Sequence, residues 1–230
     1  MSIALNAWTK FYKLQPMNRT VAFFTCMYII FVMQHTSAQE TYKPMSDITT
    51  FKEKLAVMSG ATQTIVCNFI QEKNLSVLSE KVISKGQFFF KKQNNIRWEY
   101  TDPYKYLIII SNNQLFTRDD KNQNQYDIQS SAVFQEMNKF ISGCVQGDIL
   151  KNDKDYAISY FEGSRSYYVK LIPRNEKMKQ MLNEVQIYFD RNDLTVSSLK
   201  MIESGEDYTR ITFMDKKLNT DIPVEKFNFK

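Results

Sequence analysis

Histidine is nearly missing from this chain: among 230 residues there is one, His35. Histidine is the usual general base near neutral pH and the commonest metal ligand. Its scarcity weighs against Ser-His hydrolases, zinc sites and most proton shuttles. No G-x-S-x-G element occurs, and acids such as Glu99 and Glu162 have ordinary strand-face or turn explanations, so neither an enzyme, a metal nor a cofactor is expected. Six glycines and five prolines leave the turns to Asn and Asp. With 43% hydrophobic and 14% aromatic residues, the composition belongs to a packed protein rather than a disordered one. Tyr and Phe dominate the aromatic set, which leans toward strands. Internal repeats and low-complexity tracts are also missing.

The N-terminal segment sets the expected compartment. Met17-Asn18-Arg19 is followed by an apolar run from Val21 to Met33 and then by Thr36-Ser37-Ala38. A positive charge, a short apolar stretch and small residues in that order form a secretory signal peptide. The run is shorter than the roughly 20 residues that span a bilayer. Cleavage is predicted after Ala38, giving residues 1–38 as leader and 39–230 as one domain, with Met17 a possible true start. No Cys follows the cleavage site, so the exported chain is not itself expected to be lipidated. His35 and Cys26 leave with the leader. So do Lys10, Lys13 and Arg19, three of the 30 basic residues and none of the 25 acidic ones, which leaves a formal charge of +2. That near-balance implies no nucleic-acid partner. Cys67 and Cys144 remain, and an oxidising compartment permits but does not require their pairing.

Along the exported chain, Asp47 can cap a helix carrying Ile48, Phe51, Lys52, Leu55 and Met58 at helical spacing, with Gly60 as its stop. From Ile65 the period becomes two. Strands are predicted at 65–72, 82–92 and 96–100, where Ile96, Trp98 and Tyr100 share one face and Arg97 and Glu99 the other. Asp102-Pro103 breaks the last of these. Strands at 106–110 and 114–118 follow, joined through Asn112-Asn113, with a short one at 125–128. Ser130 and Ser131 can cap a second helix whose stripe is Val133, Met137, Phe140 and Ile141. Two hairpins, 156–161 with 167–172 and 185–189 with 194–202, precede a final strand at 208–214. About ten strands with inserted helices read as one bent antiparallel sheet, a mainly β fold with helices (α+β). Its inner face would carry Phe69, Phe88, Phe90, Ile96, Trp98, Tyr100 and Leu107. Met137, Phe140 and Ile141 would face it from the second helix. These residues either fill the interior or line a cavity for an aliphatic ligand, each buried methylene contributing roughly 0.8 kcal/mol.

The ordered set Phe69-Ile70-Gln71, Ser84-Lys85-Gly86-Gln87-Phe88-Phe89-Phe90-Lys91-Lys92, Ile96-Arg97-Trp98-Glu99-Tyr100 and Pro103 resembles the LolA lipoprotein-carrier family. The tail resembles it too, with Ile211-Thr212-Phe213, Leu218-Asn219, Ile222-Pro223 and Phe227-Asn228-Phe229. The resemblance implies an unclosed barrel of about 11 strands under a helical lid, in the Gram-negative periplasm. It also implies a monomer that carries acyl chains of lipoproteins from an inner-membrane ABC-type exporter to an outer-membrane acceptor. In that family a basic residue after the glycine-containing strand holds the lid closed, and an aromatic four positions on sits at the entrance. Lys92 falls on the basic position and Ile96 on the aromatic one, while Gln93 stands where proline is usual. These departures point to a paralogue carrying another acylated or polyene lipid. A non-carrier envelope adaptor binding protein through its sheet edge is the other alternative.

Overall fold

A computed structural model describes residues 40–130, 135, 140, 142–144, 147–180, 182–203, 205 and 207–229. The predicted leader lies outside them, as do Val133, Met137 and Ile141 of the predicted second helix. Of that helix, Gln135, Phe140 and 142–144 are described and helical.

Alternating apolar residues build one twelve-stranded antiparallel sheet. Its strands are β1 (Lys43–Pro44), β2 (Thr64–Asn74), β3 (Val82–Lys91), β4 (Asn95–Asp102), β5 (Tyr106–Ser111) and β6 (Gln114–Arg118), then β7 (Gln123–Asp127), β8 (Tyr156–Glu162), β9 (Ser166–Pro173), β10 (Glu184–Asp190), β11 (Val196–Ile202) and β12 (Tyr208–Leu218). The spatial order is β1-β8-β9-β10-β11-β12-β2-β3-β4-β5-β6-β7, so β1 and β7 remain as edges and the curved sheet is not closed. The predicted hairpins are present. Asn112 and Asn113 both take positive φ, 49° and 63°, as a tight turn between β5 and β6 requires. β12 runs past the expected stop at Met214 because a bulge with Asp215 at φ 54° lets pairing with β2 resume at Lys217. The expected eleven strands become twelve through β1, two residues too short to show a period.

Helix α1 (Ile48–Ala61) begins where Asp47 accepts from Thr50 N–H at 2.9 Å. It runs past Gly60, the predicted stop. Thr62 ends it by leaving for extended backbone, with its N–H and hydroxyl both donating to Met58 O at 3.0 and 2.8 Å. A four-residue helix, α2 (Glu176–Lys179), lies between β9 and β10. Among the described residues no helix is long and apolar enough to cross a membrane.

The sheet has two very different faces. One carries two apolar clusters. Phe51 and Leu55 of α1 pack with Val169, Leu171, Val185, Ile187 and Phe189 over β9 and β10, while Phe69, Phe88, Phe90, Ile96 and Trp98 form the second cluster on β2–β4. Leu199 of the first pairs directly with Ile211 of the second, which puts both on this inner face. The other face is apolar around Phe89, Leu107, Ile109 and Phe116, where the C-terminal segment lays Ile222, Phe227 and Phe229 against them.

Candidate binding site

Strand register assembles the inner face in rungs. Cys67, Phe88, Trp98 and Ile108 stand opposite one another across β2–β5, and Ile65, Phe90, Ile96, Ile110 and Leu115 form the rung beside them across β2–β6. Phe69 has no bulky neighbour on β3, because Gly86 stands opposite it. A Cβ on Gly86 would overlap the Glu99 carbonyl and come within 2.7 Å of the Phe69 ring. The space thus conceded lets Phe69 meet Trp98 and Tyr100 edge-on at 5.2 and 5.1 Å. Six expected residues, Phe69, Phe88, Phe90, Ile96, Trp98 and Tyr100, therefore stand together.

Leu107 does not join them. Trp98 pairs with Ile108, so Leu107 points the opposite way, into the cluster under the C-terminal segment. Tyr106–Ile110 is apolar throughout and shows no alternation of its own, and pairing with β4 decides which residues face in. Phe140 is half-buried and packs with the α1 cluster rather than with Trp98. Met137 and Ile141 lie outside the described residues.

The site is apolar except for one ion pair, Lys216–Asp193 at 3.5 Å, with Lys216 beside Cys67 and Phe88 and Asp193 beside Leu55 and Phe90. Burial pushes the Cys67 thiol up to about 12. Burial, with Tyr104 and Tyr106 adding to it, likewise pushes the Tyr100 hydroxyl to about 12. That hydroxyl donates to Gln71 at 2.9 Å. Cys144 is buried as well, its thiol pushed up by desolvation, and both cysteines are free rather than paired. None of these thiols and hydroxyls supplies a base or a nucleophile at neutral pH. Among the described residues there is also no cluster of three metal-ligating side chains.

Helix α1 covers the β9–β10 part of the inner face as a lid and reaches Ile65 and Phe90 of the β2–β4 part. Phe51 sits among Tyr167, Phe189 and Tyr160 with ring separations of 4.9, 5.7 and 6.2 Å. Further along, Leu55 and Met58 approach Ile65, Phe90 and Phe189 and leave a gap of about 20 Å³. A second gap of about 30 Å³ lies between Cys67, Phe88, Val196 and Phe213. With α1 seated, the protein's own side chains occupy this part of the interior.

The end of the lid is tied to the β3–β4 turn. Lys92 Nζ donates to Gly60 O at 2.6 Å and its N–H to Gln63 O at 2.8 Å. A cation at a helix C-terminus also meets the negative end of the helix dipole. Asn94 of the same turn is bonded to Ser142, so the turn touches both the lid and the segment before β8. Asn219 adds a tie that sequence reasoning missed. At φ 56° it follows β12, accepts from Gln63 N–H at 2.7 Å and donates to Ala61 O at 3.3 Å. Its place in the family-like tail, as Leu218-Asn219, was its only signal in the sequence.

A lid tied down over a largely apolar aromatic face is the geometry of a binding protein. The family profile described as "Outer membrane lipoprotein carrier protein LolA" matches residues 60–230. The chain belongs to that family. An outer-membrane lipoprotein carrier protein of Francisella philomiragia is 28% identical over 155 residues, covering 66% of this chain and 70% of that protein. Another from Pseudomonas paraeruginosa is 24% identical over 177 residues, covering 77% and 82%. Among solved structures, a chain of the Pseudomonas aeruginosa MucA/MucB complex aligns with 78% of this chain at TM-score 0.49 and 12% identity, and this chain spans 59% of it. As a LolA-family member the chain is a lipid carrier in the broad sense and not an enzyme.

Proposed function

We propose that this chain takes up the acyl chains of lipoproteins on its inner face and shuttles them across a Gram-negative periplasm. An inner-membrane ABC-type exporter loads it, an outer-membrane acceptor unloads it, and it travels as a monomer after losing residues 1–38. The observation that carries this reading is the lid. α1 buries only Phe51 and Leu55 and is held at its C-terminal end by polar contacts from Lys92 and Asn219. Such contacts exchange readily with water, whereas the aromatic face beneath gains from any alkyl chain that replaces Phe51 and Leu55. Loading therefore swaps one apolar cover for another. A second reading, in which the cargo is another acylated lipid, is favoured by Ile96. It is 1% exposed and lies deep between Phe90 and Ile110, where it offers no aromatic entrance.

Native mass spectrometry of the protein purified from a Gram-negative envelope tests both. Triacylated peptides or intact lipoproteins should appear as stoichiometric adducts. Adducts of other acyl lipids alone would replace the first reading by the second, and a chain free of any acyl species would overturn both.

A further inference from the structure

Among the described residues, one buried side-chain nitrogen on the inner face has no hydrogen-bond partner. Trp98 is 9% exposed, and its indole Nε1 is buried without a hydrogen-bond partner. The ring lies edge-on to Phe88 at 5.1 Å and Phe69 at 5.2 Å, with Phe213 at 6.1 Å, and none of these side chains carries an acceptor. The Tyr100 hydroxyl on the same face is matched, donating to Gln71 at 2.9 Å. A buried tryptophan normally finds a partner for its N–H, and leaving that donor unmade forfeits its hydration with nothing in return. Phenylalanine would give the same ring packing without that loss.

We propose that the Trp98 indole N–H is a docking donor for the carbonyl oxygen of an ester or amide that joins acyl chains to the cargo. The proposal rests on the carrier reading and narrows it, because the site then prefers acyl-linked lipids to alkyl ethers of the same length. A carbonyl suits this position better than a phosphate or carboxylate. The rings around Trp98 carry no charge, the Lys216 ammonium in the gap beside Phe88 and Phe213 is already paired with Asp193 at 3.5 Å, and an ion would have to shed its hydration against the rings. An acyl carbonyl is uncharged, travels with its alkyl chain and accepts a single hydrogen bond. The donor is idle in the empty protein and used when cargo is aboard. Carbonyl-bearing cargo therefore gains a contact in the loaded state that the empty state lacks, which is the differential that shifts a conformational equilibrium.

The chain has two tryptophans, Trp8 and Trp98, so the full chain carrying W8F has Trp98 as its one indole. Its affinities for a dihexadecanoyl glycerophospholipid and for the dihexadecyl ether with the same head group are compared with those of W8F/W98F. The diester should bind W8F about tenfold tighter than the diether, equivalent to about 1.4 kcal/mol. W8F/W98F should bind both at the diether level, within about twofold. The Trp98 indole proton should move downfield and exchange more slowly with the diester only. Equal affinities in W8F, or the same preference surviving in W8F/W98F, would overturn the proposal. An indole resonance that does not respond to the diester would do so even if W8F/W98F fails to fold. Binding of the diether alone leaves the carrier reading standing while this inference falls, and binding of neither lipid brings down both.

Discussion

Phe88-Phe89-Phe90 shows how much a single side chain's position depends on its neighbours across the sheet. Phe88 and Phe90 are buried on the inner face, and Phe89 is buried on the other, under Ile222, Phe227 and the Lys226 ammonium 5.1 Å from its ring. The alternation of Ile96, Trp98 and Tyr100 with Arg97 and Glu99 was plain in the sequence, because Arg97 and Glu99 pair at 2.8 Å outside while the apolar three turn inward. Leu107 was not legible, since an unbroken apolar run carries no phase and only pairing supplies one. Gly86 is the residue on which this packing turns. Gly86→Ala should cost about 2–3 kcal/mol, in the range of an overpacked core site, because the added methyl meets backbone on one side and the Phe69 ring on the other. Urea unfolding should show a lower midpoint at an unchanged slope. A midpoint equal to that of the parent chain would mean that both the β4 backbone at Glu99 and the Phe69 ring can yield and that the aromatic face is not close-packed.

At the level of elements, the start of the lid helix was legible and its end was not. Asp47 caps as its type suggests, but Gly60 does not stop α1, because Thr62 supplies a better terminator and Lys92 needs the Gly60 carbonyl as acceptor. The β3–β4 turn that presents Lys92 carries Gln93 and Asn94 at φ 75° and 63°, a conformation that the usual proline could not adopt at position 93. The C-terminal segment over Phe89 and Phe116 was likewise hidden, as its Phe227 and Phe229 show no strand period. The latch makes a kinetic prediction. Cys67 is buried on the inner face beside Ile65, which Leu55 and Met58 of α1 approach, so its alkylation reports how often that face opens. Lys92→Leu removes a hydrogen bond whose net contribution is about 0.5–1.5 kcal/mol, so Cys67 alkylation, followed by peptide mapping, should accelerate about threefold to tenfold. Lys92→Arg keeps a donor for Gly60 O and should label near the parent rate. Equal rates in all three chains would remove Lys92 from any latch role.

The molecule as a whole depends on how its open sheet protects its ends. The pairing of β12 with β2, separated by more than a hundred residues, could not be read from local pattern, and it is this pairing that joins the two apolar clusters into one face. One edge, β7, is short, polar and fully exposed. The other is covered by β1, where Pro44 denies a ladder donor to any further strand, as edge strands commonly do. Glu40 fastens β1 in place. Its carboxylate accepts from Arg165 N–H at 2.5 Å, Ser166 Oγ at 2.8 Å, Tyr42 hydroxyl at 2.9 Å and Ser166 N–H at 3.2 Å, which stitches the start of the domain to the β8–β9 turn. Burial alone would raise this carboxyl, but those donors outweigh it and hold the group at about 2 against an ordinary 4.5. A folded-state value below the unfolded one means that the ionised carboxylate stabilises the fold fully above about pH 4.5, and that this contribution fades as pH falls toward 2. Glu40→Gln should therefore melt about 2–4 °C below the parent at pH 7, with the difference shrinking as pH falls from about 4.5 toward 2. Other acids held low, among them Glu72, Asp119 and Asp207, will weaken both chains in the same window. The gap between the two melting curves, rather than either curve alone, isolates Glu40, and a gap of constant size from pH 7 to pH 3 would show that its charge does not fasten the edge.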